Sequence, residues 1–329
     1  MSLPFVTYSR NVFIPLTNVC RNRCGYCGFR RDLGHPEAKL LTPEEVKNIL
    51  LKGAHAGCSE ALFTFGEHPE EVPGFNKWLL ELGFDNIIDY LVELSKLSIS
   101  IGLLPHSNPG ILERSEFEKL KSYNASMGLM LETTASVKGH EGCAGKIPES
   151  RIRSIEYAGE LKIPFTTGIL VGIGETWDDR VRSLKTIKEI HEKFGHIQEV
   201  IIQNFIPKPA TGMASSSGPG IEDMKRTVCL ARKLLPSDIA IQVAPNLISP
   251  RELIECGASD LGGISPETID YINPESPWPN LLELRSMVDV PLRERLPVYP
   301  QYVKKGWYSA GLKHVIYDLS DAEGFRKTY

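Results

Sequence analysis

Val12-Phe-Ile-Pro-Leu16-Thr-Asn-Val-Cys20-Arg-Asn-Arg-Cys24-Gly-Tyr26-Cys27 is the stretch on which the fold turns. Residues 12–16 are apolar throughout and read as a first strand. An open dinucleotide-binding sheet would follow that strand with a Gly-x-Gly-x-x-Gly turn, but here three thiols stand in its place. Further strand candidates fall at 61–65, 99–104, 126–131, 165–171, 200–204, 239–243 and 258–261. Helical periodicity fills the gaps, at 43–57, 86–97, 149–161, 178–194 and 221–235. Thr42-Pro43-Glu44-Glu45 supplies an N-cap hydroxyl, a first-turn proline and a capping-box glutamate.

Strands recur about every 35 residues, the size of a βα unit. Eight alternations, several with strands apolar on both faces, predict a parallel sheet covered by helices. Its natural closure is a (β/α)₈ TIM-like barrel in one domain, with an open doubly wound sheet less favoured. The barrel core is expected over about 9–290. From Pro291 to the end the chain is rich in Tyr, Trp and Lys, an extension expected to pack over one barrel end. Residues 211–220, TGMASSSGPG, read as a mobile loop after the sixth strand.

Of 329 residues, 37 are Lys or Arg and 41 are Asp or Glu, a formal charge of −4. That balance offers no clustered positive surface for nucleic acid or a polybasic membrane anchor. An apolar fraction of 42% and a charged fraction of 24% exclude wholesale disorder. No run reaches the roughly 18 to 20 apolar residues of a membrane span. The N-terminus lacks the basic start and apolar stretch of a secretory signal, so the expected location is the cytoplasm. In that reducing compartment, seven cysteines point to metal binding before disulfides.

Cys20, Cys24 and Cys27 have the spacing C-x₃-C-x₂-C. One loop can wrap three such ligands around three corners of a cubane iron–sulfur cluster, whereas a closed electron-transfer cluster takes four. Cys58, Cys143, Cys229 and Cys256 are scattered, so the expected cluster keeps one iron open. Arg21, Arg23, Arg30 and Arg31 flank the loop and can soften its negative charge. The alternatives are a structural zinc site with His35 as fourth ligand, or thiols grouped by coincidence.

Polar residues at the C-terminal strand ends carry the next signal, since barrel chemistry sits there. His106 and Asn108 follow the third strand, Gln203 and Asn204 the sixth, Gln242 and Asn246 the seventh, and Asp260 the eighth. Amides and a carboxylate suit a uracil edge or a polyhydroxy chain, or else satisfy barrel backbone. Glu132 and Arg151 suit the ammonium and carboxylate of an amino-acid moiety, or else form a structural ion pair.

On these residues the chain resembles the radical S-adenosylmethionine (SAM) superfamily, whose C-x₃-C-x₂-C loop it matches without departure. The resemblance implies a [4Fe–4S] cluster on Cys20, Cys24 and Cys27, with SAM chelated at the open iron. It implies reductive cleavage of SAM to methionine and a 5′-deoxyadenosyl radical that abstracts hydrogen from substrate. Tyr26 occupies the family's aromatic position beside the adenine, with simple packing on the loop as the alternative. Phe65-Gly66-Glu67 resembles the Gly-Gly-Glu turn that holds the SAM amino group, with Phe65 replacing the first glycine. By the same resemblance Glu132 and Arg151 are assigned to SAM. Gly172 and Gly174 lie in a segment similar to the family's strand near the adenine.

The likeness narrows to one branch, the deazariboflavin synthases, across Ser9 to Tyr302. It is carried by the run from Ser9 to Arg31, by Phe63-Thr-Phe-Gly-Glu67, by Leu104-Pro-His-Ser-Asn-Pro-Gly110 and by Asp260-Leu-Gly-Gly-Ile-Ser-Pro266. It implies ring closure of a tyrosine–ribitylaminouracil adduct to a deazaflavin, in synthesis of coenzyme F(420). An external one-electron donor and a transient complex with the adduct-forming radical SAM enzyme are the implied partners. A related radical SAM enzyme, making that adduct or serving the futalosine route, is a second reading. A metal-stabilised scaffold or electron carrier is a third.

Overall fold

The computed structural model describes residues 4–327. Residues 1–3, part of the stretch read for a signal, and 328–329, the end of the extension, lie outside the described residues. The chain begins β1 (Val6–Ile14), α1 (Pro43–His55), β2 (Glu60–Thr64), α2 (Asn76–Glu81), α3 (Ile87–Ile101) and β3 (Leu104–Asn108). Then come α4 (Arg114–Lys121), β4 (Ser126–Gly128), α5 (Pro148–Glu160), β5 (Phe165–Val171), α6 (Trp177–Phe194) and β6 (Ile197–Asn204). The last units are α7 (Ile221–Leu234), β7 (Ala240–Gln242), α8 (Arg251–Glu255) and β8 (Asp260–Ile264).

Strands β2 through β8 and then β1 pair in order, and β1 pairs again with β2, so eight parallel strands close a barrel. The predicted capping box at Thr42 and Glu45 starts α1, and a second one at Thr176 and Asp179 starts α6. Outward side chains pack under the helices. A Cβ on Gly53 of α1 would lie 2.6 Å from Cβ of Val12, so the glycine lets α1 lie close on β1.

Several boundaries differ from the sequence reading. The third strand starts at Leu104, not at residue 99, because α3 continues to Ile101 and ends at Gly102 in the left-handed region, φ 91°. Strand β1 begins at Val6 and β8 runs Asp260–Ile264, later than the expected 258–261. Within residues 211–220, most of them exposed, Met213 N–H donates to Gly25 O at 2.8 Å, which docks that point of the loop on the cysteine loop.

After β8 comes α9 (Leu281–Ser286), and the extension then holds β9 (Leu292–Glu294), α10 (Pro300–Lys305) and α11 (Lys313–Leu319). Strand β9 pairs with Val6–Tyr8, the part of β1 that precedes its pairing with β2. Leu296, Val298, Tyr302, Leu312 and Ile316 then pack against Leu104 and Ala125, where the chain enters β3 and β4. The extension therefore covers the N-terminal end of the barrel, as expected for one end. No helix among the described residues is long and apolar enough to cross a membrane.

Candidate active site

Alternation along each strand, checked by contacts, decides which side chains face the barrel interior. Thr7 donates to Asp260, Ser9 donates to Glu60 at 2.7 Å, and Asn11 lies against Gly263, so these three face inward. Arg295, just after β9, reaches the same level. Its Nε donates to Asp260 at 2.6 Å and its Nη2 to Glu199 at 3.0 Å. Two buried carboxylates, of Asp260 and Glu199, thus share one guanidinium, and the buried Glu60 lies close enough to feel its charge. Burial pushes the Glu199 carboxyl up to about 8 and raises Glu60 as well. Burial acts on Asp260 too, but Arg295 outweighs it and keeps that carboxyl low. This polar plate is the floor.

Above the floor the barrel is hollow. Thr64, Asn108, Gln203 and Gln242 stay partly exposed, and the absence of a side chain at Gly128 and Gly262 makes room for the Asn108 and Gln242 amides that lie against them. His106 lies deeper. Its Nδ1 is 2.6 Å from Ser126 Oγ and its Nε2 is 3.2 Å from Asn108 Oδ1. Burial lowers the His106 pKa to about 4, so the ring is neutral at physiological pH.

The cysteine loop forms one side of the mouth, and three other segments hold it. Gly66 has no side chain because a Cβ there would lie 1.9 Å from Val19 O, and its N–H donates to Thr17 O at 2.9 Å. Glu67 N–H donates to Cys20 Sγ at 3.2 Å, and its carboxylate accepts from Asn22 Nδ2 at 2.9 Å. Gly25 N–H donates to Gly139 O at 2.8 Å, and Gly145 N–H to Asn22 Oδ1 at 2.9 Å. The third support is the Met213 contact described above.

Cys20, Cys24 and Cys27 are free and half-buried. Cys20, Cys24 and Cys27 sit on one loop, yet no three His, Cys, Asp or Glu among the described residues converge as they would around one ion. His35 is turned away, its Nδ1 accepting from Glu37 N–H at 3.1 Å. Spread thiols on one loop, with a backbone N–H already donating to a sulfur, fit the corners of an iron–sulfur cluster better than structural zinc. The flanking arginines are paired with acids: Arg21 with Glu67 and Glu71, Arg23 and Arg30 with Asp32, and Arg31 with Glu37. Cys143 is not remote, because its thiol lies near that of Cys24.

Glu132 and Arg151 do not pair with each other. Arg151 donates to Met130 O at 2.6 Å and Gly145 O at 2.7 Å and lies 3.4 Å from Glu67, whereas Glu132 pairs with Lys146 at 2.7 Å. Burial pushes both carboxyls up, but Arg151 and Lys146 outweigh it and hold Glu67 and Glu132 below the usual range. Glu132 takes φ 67°, a left-handed conformation rare for glutamate. Tyr26 places its hydroxyl 3.0 Å from His140 Nε2 on the mouth wall. Gly172 and Gly174, at φ 100° and 106°, form the turn after β5, where Glu175 accepts the N–H groups of Gly172 and Ile173.

The substrate candidates divide. Asn108, Gln203 and Gln242 face the hollow, with His106 beneath them. Asn204 faces the opposite way from Gln203 and donates to Leu247 O at 3.4 Å. Asn246 is committed to Asp270 and Ser276 O, both at 3.0 Å. Asp260 opens its strand rather than following it, so it is a floor residue at the wrong end for substrate. Sequence reasoning missed Lys146, Cys143 and Asn11. No local pattern marks them, and only contacts across the barrel bring them in.

The model of the radical SAM superfamily matches residues 14–187, which include the cysteine loop and the first five strand ends. In structure the chain is similar to the FeFe-hydrogenase maturase HydG from Carboxydothermus hydrogenoformans, with TM-score 0.71, 18% identity, and 98% of this chain and 77% of that one covered. It is also similar to methylornithine synthase, with TM-score 0.62, 19% identity, and coverage of 95% and 86%; at these identities the shared property is the fold. A protein of Methanococcoides burtonii named 7,8-didemethyl-8-hydroxy-5-deazariboflavin synthase is 62% identical over 324 residues, covering 98% of both chains. One of the same name from Methanopyrus kandleri is 49% identical, covering 98% of this chain and all of that one. With the cysteine loop poised over a hollow barrel and this likeness running end to end, the chain belongs to the 7,8-didemethyl-8-hydroxy-5-deazariboflavin synthase family of the radical SAM superfamily.

Proposed function

We propose that the protein converts 5-amino-5-(4-hydroxybenzyl)-6-(D-ribitylimino)-5,6-dihydrouracil to the deazaflavin chromophore, releasing ammonia, methionine and 5′-deoxyadenosine. The observation that carries this reading is 62% identity along 98% of both chains to a synthase of that name. The hollow, amide-lined half-barrel beneath the cysteine loop supports it. Cys20, Cys24 and Cys27 would hold a [4Fe–4S] cluster with one iron open. When bound, cluster and SAM together supply a 5′-deoxyadenosyl radical on one-electron reduction by an external donor.

The chain's own residues bind, orient and exclude water. Glu132, held ionised by Lys146, offers an acceptor for the SAM ammonium group, and Lys146 a cation beside it for the carboxylate. Arg151 keeps Glu67 in place, and Glu67 anchors the cysteine loop through Asn22 and its backbone N–H. Tyr26 and the turn at Gly172 and Gly174 form a flat wall for the adenine. Asn108, Gln203 and Gln242 present amides to the uracil and the ribityl chain, while the Arg295 plate bars water from below. The adduct arrives from a separate adduct-forming enzyme, in our reading through a transient complex.

Anaerobic incubation with SAM, reductant and the adduct tests this. Deazaflavin fluorescence appearing with equivalent 5′-deoxyadenosine supports it. SAM cleavage that leaves the adduct unchanged would sink it.

A further inference from the structure

Two consecutive glycines of β8 each have an amide lying on them. A Cβ on Gly263 would fall 2.0 Å from Asn11 Nδ2, and one on Gly262 would fall 2.3 Å from Gln242 Nε2. Asn11 comes from β1 and Gln242 from β7, the two strands that flank β8. Gly262 also sits at φ 74°, so a side chain there would be strained as well as crowded. The register between β1 and β8 shifts by a residue between Asp260 and Gly263, a bulge that turns both glycines toward the inner face, which is bare where two amides from the neighbouring strands occupy the space.

The fold gives Asn11 nothing to bond. It is 1% exposed, and neither Nδ2 nor Oδ1 has a hydrogen-bond partner among the described residues. The nearest inward hydroxyl on its own strand, Ser9, is committed to Glu60. A buried amide unmet at both ends is costly, and an apolar side chain of the same size would fill the place without that cost. Its position is telling: Asn11 is the next inward residue after Ser9 on β1, in register with Glu60 at the upper edge of the floor, while Gln242, across β8, is partly exposed to the hollow.

We infer that Asn11, with Gln242 beside it, recognises the pyrimidinedione ring of the substrate. A carboxamide presents one N–H donor and one C=O acceptor side by side, which matches the adjacent C=O and N–H of a cyclic imide. Gln242 meets the next polar atom along the ring. The pair would place the uracil end of the adduct deep, against β8, and leave the phenol toward the cysteine loop. This inference rests on the proposed function and names the residues that would give it selectivity for a uracil.

The test uses the reconstituted enzyme with SAM, the adduct as substrate, and two fluorescent probes, the deazaflavin product and its N3-methylated form. Wild type should bind the methylated probe at least roughly tenfold more weakly, because methylation leaves the Asn11 amide unmet. Asn11→Leu should raise KM for the adduct and Kd for the product by roughly tenfold or more and bind both probes alike. Its iron content and adduct-free SAM cleavage should match wild type. Asn11→Asp keeps the shape and serves if the leucine variant fails to fold; lacking the amide donors, it too should lose product affinity. Undiminished discrimination between the probes in a folded Asn11 variant overturns the inference while the proposed function stands. A wild type inactive on the adduct overturns both.

Discussion

Arg295 donates its Nε to Asp260 Oδ2 at 2.6 Å across the barrel floor, and the same guanidinium reaches Glu199 at 3.0 Å. Arg295 belongs to the C-terminal extension and Asp260 to the last barrel strand, so this contact joins the two parts of the chain. Both side chains are almost fully buried, in a medium where an unpaired charge is very costly.

Arg295→Met should therefore cost about 3 to 5 kcal/mol near neutral pH, because it leaves the buried, ionised Asp260 without a counter-charge. Urea unfolding of the variant and wild type under the same conditions measures it. A loss below about 1 kcal/mol would mean that the plate contributes little to stability.

The same plate sets a pH dependence. Glu199 titrates near 8 in the folded protein, against roughly 4.3 when unfolded, so the native state holds a proton there that the unfolded state gives up. Its contribution to stability is complete below about pH 4 and declines as pH rises toward and through 8. Asp260, Glu67 and Glu132 are shifted downward, so their linkage acts at lower pH, outside this window. Glu199→Gln, neutral at every pH, should gain on wild type as pH is raised from about 5.5 to 8.5. Parallel stability–pH curves for the two would remove Glu199 as the titrating group.

Cys20→Ala, Cys24→Ala and Cys27→Ala should each lose the cluster and SAM cleavage. Cys143→Ala is the sharper variant, because its thiol lies near that of Cys24. It should still reconstitute with about four irons and four sulfides. Cys58, Cys229 and Cys256 should tolerate alanine in the same way. Iron content falling in Cys143→Ala would make it a ligand and close the iron that is assigned to SAM.

Glu132→Gln should weaken SAM binding by about 1 to 3 kcal/mol while the cluster spectrum survives, since a charge-assisted acceptor is lost. Equilibrium binding of SAM to the unreduced enzyme reads this directly. Arg151→Ala should weaken SAM binding less directly and lower thermal stability, because it frees Glu67 and two backbone carbonyls.

Neighbours on β6 should behave differently. Gln203→Ala is expected to raise the ratio of 5′-deoxyadenosine to deazaflavin, since an inward amide that orients substrate is gone. Asn204→Ala should leave that ratio unchanged, because its side chain lies outside the hollow against Leu247. The two ratios under anaerobic turnover decide whether Gln203, and not Asn204, faces the substrate.

Chemistry confined to a few residues was legible from the sequence alone. The spacing of Cys20, Cys24 and Cys27, the Thr42–Glu45 capping box and the alternation of apolar runs with helical periods are local, and they specified a barrel carrying a cysteine loop. Depth, facing and partner choice are not local. Gln203 and Asn204 are adjacent in sequence, yet one faces the hollow and the other does not, because a strand turns successive side chains to opposite faces. The register irregularity between Phe165 and Thr166 helps fix which is which. Asp260 reads as a strand-end acid, but it opens β8 and belongs to Arg295. Arg151 reads as a partner for Glu132, but the geometry gives it Glu67 and gives Glu132 to Lys146. Asn11 carries no signal in sequence, since an unmet amide becomes visible only when every neighbour is in place. The sequence by itself determined which elements form and what the cysteine loop can hold; barrel closure, which brings distant segments into contact, decided which polar groups are consumed by the fold and which are left to meet a ligand.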